Sequence, residues 1–197
     1  MMATARYLSF LLLNIGFFLA AGCVSPAPVQ LLLLEPGVQI NNRDDGISVG
    51  LRAVALPEYL RRNGLVFSET GHSVAVSGHA RWAEPLEDGI LRVTTINLAE
   101  LLATSRMQAY PWSASQRPDV DITINIIELS ANASQARLSA DVQVRTKDSG
   151  GNSHTQQFIK SWQSSLTGDS RAVDIARAYS ELLLEMAHAI AAVSKVP

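Results

Sequence analysis

A single cysteine, Cys23, is all the thiol this 197-residue chain has, so no internal disulfide can staple its fold. Stability must come from a packed apolar core instead, and the length suffices to build one. The four histidines, His72, His79, His154 and His188, form no H-E-x-x-H or paired Cys/His pattern, so nothing in their spacing suggests zinc. No serine sits in a G-x-S-x-G elbow, and the glycines make no phosphate-cradling loop. Positive charge is not in excess: 16 Lys and Arg stand against 18 Asp and Glu, which argues against nonspecific nucleic-acid binding. Internal repeats and low-complexity tracts are absent as well. Neither an enzyme, a metal site nor a cofactor is expected.

What the chain does have lies first at its N-terminus. Arg6 precedes an apolar stretch from Leu8 to Leu19, and small residues then lead into the cysteine as Leu19-Ala20-Ala21-Gly22-Cys23. These are the three parts of a secretory signal, and the apolar stretch falls short of the roughly 20 residues that span a membrane comfortably. A small-residue run closing on a cysteine resembles a bacterial lipoprotein signal. That resemblance implies cleavage after Gly22 and a lipid on Cys23. Residues 1–22 are therefore expected to be a signal peptide, 23–30 a lipidated tether, and 31–197 one domain. With Arg6 assigned to the signal, 15 basic residues remain against 18 acidic ones, a net charge near −3.

The tether Val24-Ser25-Pro26-Ala27-Pro28-Val29-Gln30 carries two prolines that favour an extended, semi-rigid spacer. Seven residues reach at most about 25 Å, so the domain must work close to its membrane. By resemblance to enterobacterial sorting, Val24 in place of an aspartate after the cysteine points to the outer membrane, facing the periplasm.

Beyond the tether, Leu31 to Leu34 reads as a first strand, stopped by Pro36-Gly37, and Ile47 to Leu56 as a second, ended by Pro57. Leu65–Ser68 and Ser73–Trp82 flank a Glu69-Thr70-Gly71-His72 turn, which predicts a hairpin. A helix is expected to begin near Pro85, with Glu87 and Asp88 complementing its dipole and Leu91, Leu98, Leu101 and Leu102 recurring at helical spacing. The clearest alternation sets Val120, Ile122, Ile124 and Ile126 against Asp119, Asp121, Thr123 and Asn125, and it recurs in Leu138, Ala140, Val142 and Val144. Such strands have one buried and one wet face. Asp148 to Ser153 is a turn, Gln156 to Leu166 a further strand, and Gly168-Asp169-Ser170 can cap a long last helix. Its apolar stripe is Ile175, Tyr179, Leu182, Leu183, Met186 and Ile190. The expected architecture is α+β: a single two-layer domain with a mostly antiparallel sheet and two main helices packed on one face.

Two patterns could imitate function. Asp119 and Asp121 share one strand face like paired acids, but a solvated sheet surface with Thr123 and Asn125 explains them better. Asn132-Ala133-Ser134 matches a glycosylation sequon, which carries little weight behind a bacterial lipoprotein signal.

Three further stretches carry a family resemblance: Leu56-Pro57-Glu58-Tyr59-Leu60-Arg61-Arg62-Asn63-Gly64-Leu65-Val66; Arg81-Trp82-Ala83-Glu84-Pro85-Leu86 followed by Arg92-Val93 and Asn97-Leu98; and, more loosely, Tyr110-Pro111-Trp112 with the Ile122/Ile124/Ile126 strand. Their order, behind the Cys23 signal, resembles the ABC-type transport auxiliary lipoproteins, the family of paraquat-inducible protein C. The resemblance implies a noncatalytic outer-membrane lipoprotein subunit of an MCE-type intermembrane phospholipid transporter, with an MCE-domain protein as partner. A structural envelope-assembly lipoprotein that handles no lipid is the alternative, and homo-oligomers are left open. Trp82 reads as a core or helix-entry anchor. Tyr59, Leu60 and Arg61, expected in an exposed loop, are the candidate partner contacts.

Overall fold

The computed structural model describes residues 28–39, 47–68, 72–148, 150–166 and 171–194. Cys23, most of the tether, the Glu69-Thr70-Gly71 part of the predicted hairpin turn and the Gly168–Ser170 caps lie outside the described residues.

Among the described residues, eight strands form two sheets. The smaller has the order β1-β4-β3, from Gln30–Leu32, Val74–Trp82 and Gly64–Ser68. The larger has the order β5-β2-β6-β7-β8, from Met107–Ala109, Val49–Leu51, Val120–Ala131, Gln135–Lys147 and Ser153–Ser165. Two helices, α1 (Leu86–Leu101) and α2 (Arg171–Val193), pack on each other, and α2 lies across β7 and β8. This is the single α+β domain expected. The long ladders β6–β7, β7–β8 and β3–β4 are antiparallel as predicted.

The three-residue strands behave differently. β1 runs parallel to β4, and β2 runs parallel to both β5 and β6. The predicted second strand, Ile47 to Leu56, is broken into β2 and a later bridge from Ala55 to Asn125. Its backbone still follows β6, because Arg52 N–H donates to Ile122 O (3.0 Å) and Ala55 N–H to Ile124 O (3.1 Å). A segment this short shows no alternation, so its sheet partner could not be read from the sequence.

Ile122, Ile124, Ile126, Leu138, Ala140, Val142 and Val144 are all buried in the core shared with the helices. The stripe of α2 answers them: Ile175, Tyr179, Leu182, Leu183, Met186 and Ile190 are all inside. Burial of each large apolar side chain stabilises the fold by about 1.5–3 kcal/mol. One β6 detail departs from plain alternation. The register shifts between Ile126 and Glu128, a bulge that throws Ile127 out to 47 % exposure and returns Leu129 and Ala131 to the core. On α1, the buried face is Leu86, Ile90, Val93 and Leu98, while Leu91, Leu101 and Leu102 are only partly covered.

Turn chemistry closes the ladders. Asn132 Oδ1 accepts from Ser134 N (2.9 Å), Ser134 Oγ (3.2 Å) and Gln135 N (3.0 Å), so the sequon is the Asx turn of the β6–β7 hairpin. Asp148 does the same for β7–β8, accepting from Asn152 N at 2.8 Å. The Asn152 N–H and side-chain amide hold the Asp148 carboxyl below the usual carboxylate range. Pro85 stands immediately before α1, and the Glu84–Arg92 pair (2.6 Å) locks that helix to Leu34 O through Arg92 Nη2 at 2.8 Å. Trp82 is buried and stacks on Tyr179 with ring centroids 6.2 Å apart, as befits a core anchor.

Candidate functional site

Pro57 sets the chain into a single 3-10 turn at Glu58–Leu60, closed by Leu60 N–H to Pro57 O (3.0 Å) and Arg61 N–H to Glu58 O (3.1 Å). The turn splits its residues. Tyr59 is 37 % exposed and Arg61 lies at the surface, but Leu60 is only 2 % exposed. The expectation that Leu60 is displayed is therefore corrected: a one-turn helix cannot point three consecutive side chains outward, and the apolar one goes into the core. Partial burial pushes the Tyr59 phenol up, with Glu128 adding to the shift and the Leu129 N–H opposing it. Arg61 Nε stands 3.6 Å from both Glu58 and Glu87 carboxylates, tying the turn to the start of α1. Between them lies a small cleft of about 70 Å³ lined by Arg61, Arg62, Asn63, Pro85, Leu86 and Glu87.

A second surface cluster was not singled out from the sequence. Arg52, just past β2, makes a two-pronged pair with Asp121 on β6, Nε to Oδ1 at 2.8 Å and Nη2 to Oδ2 at 2.7 Å. Its guanidinium lies 4.8 Å from the Tyr110 ring centre and 5.2 Å from that of Trp112, and those two rings meet edge to face at 5.2 Å. The hydrogen bond to Asp121 is the main reason the Arg52 pKa is raised. Gly50 makes room for this stack, since a Cβ there would sit 2.5 Å from Pro118 Cγ and 2.7 Å from the Trp112 ring. Tyr110-Pro111-Trp112 was visible as a motif, but only the parallel pairing of β2 with β6 reveals its arginine.

Asp121 is thus not on a solvated face, as the alternation predicted, but 5 % exposed beneath Arg52. Asp119 is engaged too, accepting from Ser48 N and Oγ at 2.8 Å each. Burial pushes the Asp119 carboxyl up. The two Ser48 donors, with Arg106 and Lys147, outweigh that and hold it below the usual range. Each acid has its own partner on the β2 segment, so the pair does not act as two carboxylates sharing a proton.

The histidines give no centre. All four are exposed, and His154 Nε2 lies 3.4 Å from Asp148 Oδ2. Among the described residues, no three His, Cys, Asp or Glu side chains lie together as metal ligands would, and no helix is long and apolar enough to cross a membrane. The surface offers the Arg52–Tyr110–Trp112 stack and, at the 3-10 turn, Tyr59 and Arg61, residue types suited to contact with another macromolecule.

Residues 30–191 match a family described as the ABC-type transport auxiliary lipoprotein component. No curated protein matches the chain by sequence. Two crystal structures share the fold. One, of an uncharacterized protein, has a TM-score of 0.66 at 16 % identity, over 84 % of this chain and 98 % of that one. The other, a Xanthomonas campestris protein of the DUF330 family, has a TM-score of 0.57 at 11 % identity, over 84 % and 93 %.

Proposed function

The chain belongs to the ABC-type transport auxiliary lipoprotein family, and from that membership we propose that it is the noncatalytic outer-membrane subunit of an MCE-type phospholipid transporter. Cys23 carries the lipid, the domain faces the periplasm, and the protein docks the MCE assembly at the outer membrane. The observation that carries this reading is the family match beginning at residue 30, seven residues after a cysteine placed for lipidation. A tether of at most about 25 Å cannot take the domain across the periplasm, so the inner-membrane machine must reach out to it.

The docking contact is assigned to Tyr59 and Arg61, with Leu60 acting beneath them as the anchor that fixes the turn. An aromatic and an arginine side by side suit the centre of an interface. The test is affinity purification of the mature lipoprotein from envelopes, with and without Tyr59→Ala plus Arg61→Ala. The wild type captures an MCE-domain protein and the double variant captures far less, while both remain folded and in the outer membrane. Normal capture by the double variant would move the contact elsewhere. No MCE protein in the wild-type eluate, under conditions that preserve other envelope complexes, would overturn the transport reading. The anchor is tested separately: Cys23→Ser abolishes lipid labelling and releases or arrests the chain, and unchanged labelling of that variant would contradict it.

A further inference from the structure

Leu31 is 67 % and Leu33 48 % exposed, although Leu32 and Leu34 between and beyond them are buried. The inner leucines are explained by the core. The outer ones forgo about 25 cal/mol for every Å² left in water, and none of the described residues covers them. Val29 before them and Val173 on α2 are also more than two-fifths exposed. Leu31, Leu33, Val173, Ala176 and Leu184 line an open groove of about 620 Å³ between the β1 strand and α2.

The orientation of that groove follows from two contacts. Glu35 N–H donates to Ser180 Oγ at 3.0 Å, and Gly37 lies against Leu184. The β1 segment and α2 therefore run in the same direction, which puts Val29 and Leu31 at the Arg171–Val173 end and the groove's Glu35 and Glu181 at the other. Cations flank the apolar end. Arg81 pairs with Leu31 in the parallel β1–β4 register and is exposed, and Arg171, also exposed, lies over the Phe67 ring.

We propose that this end of the domain is a membrane-contact face, seated on the phospholipid surface that holds the anchor. The idea rests on the lipidation of Cys23 proposed above. Val29 is the sixth residue after Cys23, so the patch cannot leave the bilayer surface by more than about 20 Å. Apolar side chains with a basic rim are the composition that enters the headgroup boundary, to a depth of about 5–10 Å, and pairs with lipid phosphates. The anchor then acts as more than a leash. It presents one fixed face of the domain to the lipid and leaves the Tyr59–Arg61 turn and the Arg52 cluster to other partners.

Acylation consumes the Cys23 thiol, so an introduced cysteine is the only labelling site in the mature lipoprotein. Leu31→Cys, Val173→Cys and Ile159→Cys, the last 69 % exposed on β8, are labelled with an environment-sensitive fluorophore. The proteins are reconstituted in phosphatidylethanolamine–phosphatidylglycerol vesicles with brominated acyl chains, after mass spectrometry has established that Cys23 is acylated. Labels at positions 31 and 173 shift to the blue and lose most of their emission, and the label at 159 does neither. Equal behaviour at all three positions in acylated protein overturns the membrane face while leaving the anchor standing. Blue-shifted but unquenched labels at 31 and 173, dependent on protein concentration, mean that a second copy covers the groove, which also overturns it. An unacylated Cys23 overturns both readings.

Discussion

At the scale of single residues, the interior contains polar atoms whose value can be weighed one by one. The Tyr179 hydroxyl is buried with no hydrogen-bond partner among the described residues, and burial pushes its pKa far above the ordinary phenol value. Its ring, stacked on Trp82, is what the fold uses. Tyr179→Phe is therefore expected to be neutral or stabilising by about 1 kcal/mol, because a desolvated and unpaired hydroxyl is removed; urea unfolding measures it. Ser48 is the opposite case, since its Oγ both donates to Asp119 Oδ2 (2.8 Å) and accepts from Asp119 N–H (3.0 Å). The Asp119 pKa is depressed in the folded state, so its contribution is fully present above the unfolded value near 4 and is lost as pH falls through the lower, folded one. Ser48→Ala is expected to cost about 1.5–3 kcal/mol at pH 7, as for a hydrogen bond to a charged group. That deficit shrinks below about pH 4 as Asp119 protonates. A deficit unchanged between pH 7 and pH 3 in thermal melts would contradict the assignment. Neither polar role was legible in the sequence, where Ser48 is one hydroxyl among many and Tyr179 reads only as part of an apolar stripe.

At the scale of elements, periodicity was the reliable guide and it failed where a second constraint intervened. β6, β7 and α2 could be read because each is long enough to repeat its pattern several times, and the same residues that alternate are those buried. α1 was placed correctly, but of the leucines read as its apolar stripe only Leu98 is fully buried, while Leu91, Leu101 and Leu102 are partly covered. Its inward positions include Gly89, Thr94 and Asn97, which carry no hydrophobic signal, and Asn97 Oδ1 accepts from Gly37 N–H at 3.1 Å. The polar face of β6 misled in another way. Asp121 alternates as a wet residue should, yet Arg52 arrives from a neighbouring strand and covers it. The bulge at Ile127 likewise leaves no mark, because an isoleucine in a row of isoleucines looks internal. These readings give a paired test. Ile124→Ala is expected to lose about 2–5 kcal/mol through lost burial and a cavity. Ile127→Ser, at a position the bulge exposes, changes stability by less than about 0.5 kcal/mol. Equal losses in chemical denaturation would mean that the bulge does not divert the strand as described.

At the scale of the whole molecule, the proposal joins a lipidated Cys23 and a short proline-containing tether to a domain whose surface is differentiated. Apolar side chains with a basic rim lie at the tether end, Tyr59 and Arg61 stand at the surface of the 3-10 turn, and Arg52 stacks with Tyr110 and Trp112. The family could be named from sequence because proline, tyrosine and tryptophan punctuate the start of β3 and the entry to α1 in a fixed order. Which residues of that punctuation meet the outside could not, since Leu60 and Tyr59 are equally apolar on paper and only the 3-10 turn separates them. The central claim, an auxiliary lipoprotein docked on a lipid-transport assembly, is tested most directly in living cells by replacing Tyr59 with a photo-crosslinking phenylalanine analogue and identifying the adduct by mass spectrometry. The account predicts a light-dependent adduct with an MCE-domain protein that is absent when the same analogue replaces Ile159. Adducts only with proteins unrelated to the MCE assembly, or the same adducts from both positions, would contradict it.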